Sequence, residues 1–251
     1  MTPRESSDNL RGSLLQTSHS EPSHAQLQKI GKSSEAALAD MLTALSTQWA
    51  GQSLFSGTAT DRAPTPDMDT LLNSFISTLP PNATATEIFD AAEQFFDDDT
   101  GHFQTTLYAG GPPRKISSEF SGEYAEFPTA LDPALRGALR NFALGAILGM
   151  STTSITLSEK QQMAQKIISQ SSETSTQLIN LQGRLGGWQD VMHNREESLL
   201  AAREQEEGTL RNLVGVDPYE AAVRMEDTRA KLELLYSVTA RVTRLSLVDY
   251  L

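Results

Sequence analysis

Residues 157–213 read LSEKQQMAQKIISQSSETSTQLINLQGRLGGWQDVMHNREESLLAAREQEEGTLRNL and carry the longest periodic pattern of the chain. Apolar side chains recur in it at alternating steps of three and four residues: Leu157, Ala164, Ile167, Leu178, Leu181, Leu185, Trp188, Met192, Leu199, Ala202 and Leu213. A spacing of about 3.5 residues, kept for about eight heptads, is typical of a coiled-coil seam. The pattern predicts one helix roughly 85 Å long at 1.5 Å per residue. We assign the rod seam to Leu178, Leu181, Leu185, Trp188, Met192 and Leu199.

A second long helix is predicted from Asp217 to the C-terminus. Asp217 suits the N-cap, Pro218 the first helical position and Glu220 the first turn. The apolar residues that follow form two adjacent stripes, and a face this wide requires several neighbouring helices. We predict that this assembly helix makes its contacts through Met225, Leu232, Leu235, Val238, Val242, Leu245, Leu247 and Leu251.

The sequence before residue 157 predicts shorter elements. Helical patterns cover His24–Ala50, which Gly51 stops, and Asp132–Met150, where Gly145 and Gly149 indicate a close helix contact. A β-hairpin is predicted from the strands Phe103–Tyr108 and Lys115–Phe120, with Gly110–Pro113 as the turn. The fold is therefore predicted to be mainly α: a long antiparallel, coiled-coil-like helical rod with a small α/β insert that contains the hairpin. The predicted parts are a frayed or disordered N-terminus (1–23), the rod (24–66 and 132–251) and an acidic insert (67–131).

Composition excludes several classes of function. The 251 residues carry 20 basic and 32 acidic side chains, a net charge of −12, which disfavours binding to nucleic acid or to an anionic membrane. The chain has no cysteine, which removes thiolate chemistry and cysteine metal sites. Its most apolar run, Phe142–Met150, is too short to span a membrane, and the N-terminus lacks the apolar core of a Sec signal.

No common catalytic or cofactor motif is present in the sequence. Dinucleotide, P-loop, zinc-protease and nucleophile-elbow patterns are all missing, so we predict no enzyme activity, no catalytic residue, no metal site and no cofactor. Asp97–Asp99 is predicted to be a solvated acidic helix end. The Glu-rich stretch Glu196–Glu207 is predicted to be a charged helix face with pairs such as Glu207–Arg211.

Two segments resemble the bacterial flagellin family. The turn motif, Gly51, Leu54, Phe55, Ser56 and Gly57, resembles the element that follows the N-terminal helices of that family. The stretch Asp217–Leu251 is similar to its closing helix, and the ending Leu245–Leu251 is most like that of the hook–filament junction members. Phe103–Tyr108 and Pro133–Leu148 also resemble the middle of family members from alphaproteobacteria.

The resemblance implies a structural subunit that joins hook and filament by self-assembly through its terminal helices. Its partners would be further copies of itself, hook protein, another hook-associated protein, flagellin and an export chaperone, with no nucleic acid and no membrane. It would be secreted by the flagellar type III route. The alternatives are a filament flagellin, or a non-flagellar coiled-coil protein with a binding or chaperone-like role.

The family's long N-terminal helix has only the segment Leu27–Trp49 as a counterpart here. The resemblance therefore implies either a start that lies downstream of the family's usual start, or a terminal helix that docks elsewhere.

Overall fold

The computed structural model describes residues 3–18, 23–117, 124–150, 155–215 and 217–248. The elements, in chain order, are α1 (Pro3–Ser18), α2 (His24–Leu45), β1 (Gln48–Trp49), β2 (Gln52–Ser53), α3 (Met68–Thr78), α4 (Ala85–Phe96), a π-helical turn (Phe103–Leu107), β3 (Lys115–Ser117), β4 (Tyr124–Glu126), α5 (Pro133–Gly149), α6 (Leu157–Val214) and α7 (Pro218–Val248). The prediction of a mainly α fold with long helices and a small antiparallel hairpin is confirmed. The chain divides into two compact units, Met1–Trp188 and Gln189–Leu251.

The long heptad pattern forms the single helix that it predicts. Helix α6 runs for 58 residues from Leu157 to Val214. Thr156 and Glu159 cap its start, since the Thr156 N–H donates to the Glu159 carboxylate at 2.8 Å. The division of the chain into rod and insert stays a prediction.

Helices α2 and α5 form the tightest contact of the first unit. Gly31 of α2 faces Gly149 of α5 so closely that a Cβ on Gly31 would lie 2.5 Å from the Gly149 Cα. Three residues along α2, Ser34 faces Gly145, so the two helices run antiparallel. Nearly every residue of α5 is buried. The close contact predicted at Gly145 and Gly149 is therefore present, and it lets the two backbones approach.

The predicted strand Phe103–Tyr108 is wrong, because this segment forms the π-helical turn. The Tyr108 N–H donates to the Phe103 carbonyl at 2.8 Å, five residues back. Phe103 is fully buried, with its ring 5.7 Å from that of Phe96 of α4. The predicted second strand is present over Lys115–Ser117, but it pairs with Tyr124–Glu126 instead. Burial of one aromatic ring therefore overrode the β propensity of the neighbouring threonines.

The N-terminal predictions need two corrections. Residues 3–18, predicted to be frayed or disordered, form α1 and bury Leu10 and Leu14. Helix α2 ends at Leu45, and not near Ala50, because the chain reverses through a tight β1–β2 turn. Ala50 and Gly51 both have positive φ, 50° and 76°, as such a two-residue turn requires. Trp49 consequently lies on a strand and is 77% exposed.

Helix starts that depend on carboxylates make the fold sensitive to acid. The Thr84 N–H donates to Glu87 at 2.8 Å, and this hydrogen bond is the main cause that lowers the pKa of Glu87. The hydrogen bond from the Thr156 hydroxyl is the main cause that lowers the pKa of Glu159. A carboxyl whose pKa is lower in the folded state than in the unfolded state stabilises the fold at any pH above its unfolded-state pKa. This stabilisation is lost as the pH falls through the folded-state pKa.

We therefore expect the urea midpoint to fall between about pH 5 and pH 3. The double variant Glu87→Gln, Glu159→Gln is the control, because it keeps an acceptor and removes the titrating groups. It should lose less stability over this range, and an equal loss would contradict the prediction.

Candidate assembly surface

The second unit exposes its apolar side chains. Over the residues 189–215 and 217–244 no side chain is buried, and Gly208 alone is partly shielded. Large apolar residues are frequent in this exposed set: Val191, Met192, Leu199, Leu200, Leu210, Leu213, Val214, Tyr219, Val223, Met225, Leu232, Leu234, Leu235, Tyr236, Val238 and Val242. Exposed apolar side chains in this number are typical of an interaction site on a folded protein. We call this exposed set the assembly surface.

Helix α7 changes character along its length. In its first half, charged side chains pair at a spacing of four residues: Arg224 with Glu220 at 2.6 Å and Lys231 with Asp227 at 2.7 Å. From Leu232 onward, apolar residues lie on most sides of the helix. A charged stripe formed by Glu233, Arg241 and Arg244, with Ser237, interrupts them, and Thr239, Thr243 and Ser246 form a second, uncharged polar stripe. A helix that is apolar over so wide an arc is stabilised by several neighbours and not by one.

The structure places the predicted assembly residues as follows. Met225, Leu232, Leu235, Val238 and Val242 are all at least half exposed. Leu245 and Leu247 fall in the last turns of α7, and Leu251 lies outside the described residues. Their role in assembly stays a prediction.

The rod seam changes its surroundings at the boundary of the two units. Leu178 and Leu181 are buried, and Leu185 packs against the same core. The ring of Trp188 lies 5.3 Å from that of Phe127. Beyond this point, Met192 and Leu199 are exposed. One heptad pattern therefore supplies core contacts in the first unit and open apolar surface in the second.

The turn motif connects separate segments of the first unit. The Gly111 N–H donates to the Ser56 carbonyl at 2.9 Å, and the Thr58 N–H donates to the Pro112 carbonyl at 3.0 Å. The Ala130 N–H donates to the Phe55 carbonyl at 2.9 Å, which ties the motif to the start of α5. Phe55 and Ser56 face inward, while Leu54 and Gly51 are exposed.

Gly57 sits where no side chain fits. Its φ is 60°, in the left-handed region, and a Cβ there would overlap the carbonyl oxygens of Gly111 and Pro112. Sequence reasoning missed this partner loop, although the run Gly110–Pro113 marked it as a turn. The structure thus gives the motif a packing role in the first unit.

Charged groups in the first unit form a structural network. A polar cleft of about 250 Å³ between α4, α5 and α6 contains Asp97, Arg136, Arg140 and Glu173. Arg140 pairs with Asp97, Arg136 pairs with Asp99 at 3.4 Å, and burial lowers the pKa of the Arg140 guanidinium. The predicted solvated end Asp97–Asp99 is therefore partly paired, and it fastens α4 to α5.

The predicted ion pair Glu207–Arg211 is also different in the structure. Glu207 accepts from Arg203 at 2.9 Å, while the Arg211 side chain donates to the Glu207 main-chain carbonyl.

Among the described residues, no group of three or more histidine and acidic side chains is placed to hold a metal ion. None of the described helices combines the length and apolarity needed to cross a bilayer.

A protein-family model matches the C-terminal third of the chain. Residues 167–251 match the family model of the bacterial flagellin C-terminal helical region. No curated protein and no solved structure matches the chain. The matched segment contains most of α6 and all of α7, and therefore the whole assembly surface. Over this segment, the match supports the bacterial flagellin family, whose members are structural proteins.

Proposed function

We propose that this protein joins the flagellar hook to the filament, as a subunit that assembles through α7 and the distal part of α6. The observation that carries the proposal is the coincidence of two features in one segment. The segment matches the flagellin C-terminal region, and from Val191 to Val242 its described large apolar side chains are exposed.

Burial of this surface supplies the free energy of assembly. Removing a leucine or valine side chain from water is worth about 1.5–3 kcal/mol. Five predicted contact residues of α7 are exposed in the monomer, namely Met225, Leu232, Leu235, Val238 and Val242. The wide apolar arc of α7 favours contact with several copies, as in a tubular assembly.

The junction role within the flagellum draws on the closing sequence Leu245–Leu251, which is most like that of the hook–filament junction members. In this role the chain contacts hook protein, another hook-associated protein and flagellin. Before assembly it is carried by an export chaperone and leaves the cell by the flagellar type III route.

Deletion of the gene from the source bacterium tests the proposal. We expect hooks without filaments, motility lost, and flagellin shed into the medium, because flagellin then has no junction on which to polymerise. Electron microscopy of the cells and immunoblots of the medium measure both effects. The complemented strain is the control and should regain filaments.

Two other results would reject the junction role. If the deletion removes the major filament subunit, and this chain is abundant along the filaments of unaltered cells, the protein is filament flagellin. Normal filaments and normal motility, with the chain missing from sheared flagella, would instead support a non-flagellar coiled-coil protein.

A further inference from the structure

The last two turns of α6 in the first unit are rich in glycine. Gly183, Gly186 and Gly187 lie inside the helix, just before its uncovered part begins at Gln189. Among the described residues, no other element comes within 4 Å of a Cβ added at any of the three, so close packing does not account for them as it does at the α2–α5 contact. Each glycine favours opening of a helix about fivefold relative to alanine. The residues 183–187, which we call the glycine segment, therefore have a low intrinsic helix stability.

Two contacts hold α6 to the rest of the first unit at this stretch. The Arg184 guanidinium pairs with the Asp132 carboxylate at 2.8 Å, and Asp132 also caps the start of α5. One turn further on, the Trp188 ring lies 5.3 Å from the Phe127 ring. Both contacts tie α6 to segments that are distant in the sequence.

The Phe127 side of the second contact is built on the β3–β4 hairpin. The Phe127 N–H donates to the Arg114 carbonyl at 2.9 Å, beside the paired residues Lys115 and Glu126. The Arg114 guanidinium also lies over the Phe127 ring, 5.8 Å from its centroid. The hairpin therefore presents this ring to α6 from a hydrogen-bonded backbone.

The contacts and the glycines act on the same stretch of α6 in opposite directions. Arg184 and Trp188 lie four residues apart, so one intact turn of helix is what brings both to their partners. Leu185, between them, adds a partly buried contact with the core. After Trp188, no side chain of the described residues 189–215 is buried, so burial does not support the helix there. The helical state of the glycine segment thus depends on contacts with the hairpin and with the start of α5.

We propose that the Phe127–Trp188 and Asp132–Arg184 contacts form a latch, which keeps α6 helical across the glycine segment, and that release of the latch opens the helix there. The latch is a conformational device of the first unit. It does not depend on the proposed function, because all its residues lie before Gln189. With the latch closed, α6 is one continuous helix to Val214, and with the latch open it is interrupted at residues 183–187.

Hydrogen exchange of the full-length chain, measured by mass spectrometry on peptides that cover residues 180–192, tests the latch. Phe127→Ala should raise the exchange rate of the amides at 183–188 at least about tenfold, because Trp188 loses the ring against which it packs. Arg184→Gln is a milder second variant at an exposed position, and removal of its ion pair should raise the same rate about threefold.

Alanine at the three glycines should reverse the effect of Phe127→Ala. Each added Cβ has room, and each alanine favours the closed helix about fivefold, so the triple replacement should lower the exchange rate of the Phe127→Ala chain by at least about tenfold. The matched control is Gly208→Ala, because Gly208 also lies inside α6 with nothing within 4 Å of an added Cβ. Combined with Phe127→Ala, it should leave the exchange rate at 183–188 unchanged.

Three results would overturn the latch. The first is an unchanged exchange rate at 183–188 in the Phe127→Ala chain. The second is a rise that spreads equally over α2 and α5, since Phe127 would then support the whole core and not this stretch of α6. The third is a local rise that the three alanines do not reduce, because the glycines would then have no part in the opening.

Discussion

Leu235→Asp is expected to abolish self-assembly and to leave the folded monomer unchanged. Leu235 is 62% exposed in the monomer, so the substitution removes no core contact there. In the assembly, the same position loses about 1.5–3 kcal/mol of apolar burial and gains a desolvated charge. Together these effects should raise the concentration needed for assembly by about a hundredfold or more. Sedimentation measures the assembly, and circular dichroism with thermal unfolding measures the monomer.

Leu235→Met is the matched control, because it keeps the side chain apolar at nearly the same volume. It should assemble within a few-fold of the unaltered protein. Assembly of the aspartate variant at the normal concentration would show that α7 is not the assembly helix. A lowered unfolding temperature of the aspartate monomer would show that Leu235 is part of a core.

Gly57→Ala is expected to destabilise the first unit by about 2–4 kcal/mol. The new Cβ would meet the carbonyl oxygens of Gly111 and Pro112 at a backbone conformation that L-residues rarely adopt. To relieve this overlap, the turn motif would have to move away from the loop at Gly111 and Pro112. This movement would break the hydrogen bonds made by the Thr58 N–H and the Ser56 carbonyl. Urea unfolding of the full chain measures the loss.

Gly51→Ala separates backbone strain from steric overlap. Gly51 also has a positive φ, 76°, but nothing lies within 4 Å of its added Cβ. Its replacement should therefore cost only about 1 kcal/mol. Equal losses for the two variants would mean that the loop at Gly111 does not hold Gly57, and the packing role of the turn motif would be wrong.

Sequence periodicity predicted the long helices well because their pattern is regular over many turns. The heptads at 157–213 match α6 to within one residue, and Asp217 with Pro218 marks the start of α7. Local signals predicted the helix start at Asp132 equally well, since its side chain accepts from the Ala134 N–H at 3.0 Å. These features depend on neighbours in the sequence and need no tertiary contact.

The errors arose where a distant contact decided the local conformation. Phe103 is drawn into the aromatic core beside Phe96, and the segment forms a π-helical turn that its threonines do not favour. Helix α2 ends before Trp49 because Ala50 and Gly51 turn the chain. The same limit applies to the turn motif, whose loop at Gly111 is 54 residues away from Gly57.

The predicted assembly residues stay a prediction, but their exposure and that of the neighbouring seam can be compared with the sequence pattern. The stripes on α7 identified Leu232, Leu235, Val238 and Val242, and the structure leaves them exposed. Sequence alone did not reveal that the rod seam stops being covered after Trp188. Heptad spacing shows that a helix face needs a partner, but it carries no information on whether the partner is in the same chain.

The proposed junction role places this chain at the end of the hook, as a flagellar axial subunit. Immunogold labelling of isolated flagella, with an antibody against the first unit, tests it most directly. The junction role predicts gold at the hook–filament boundary of each flagellum and none along the filament. Absence of gold from the flagellum, with the protein detected only in the cell body, would rule out this role.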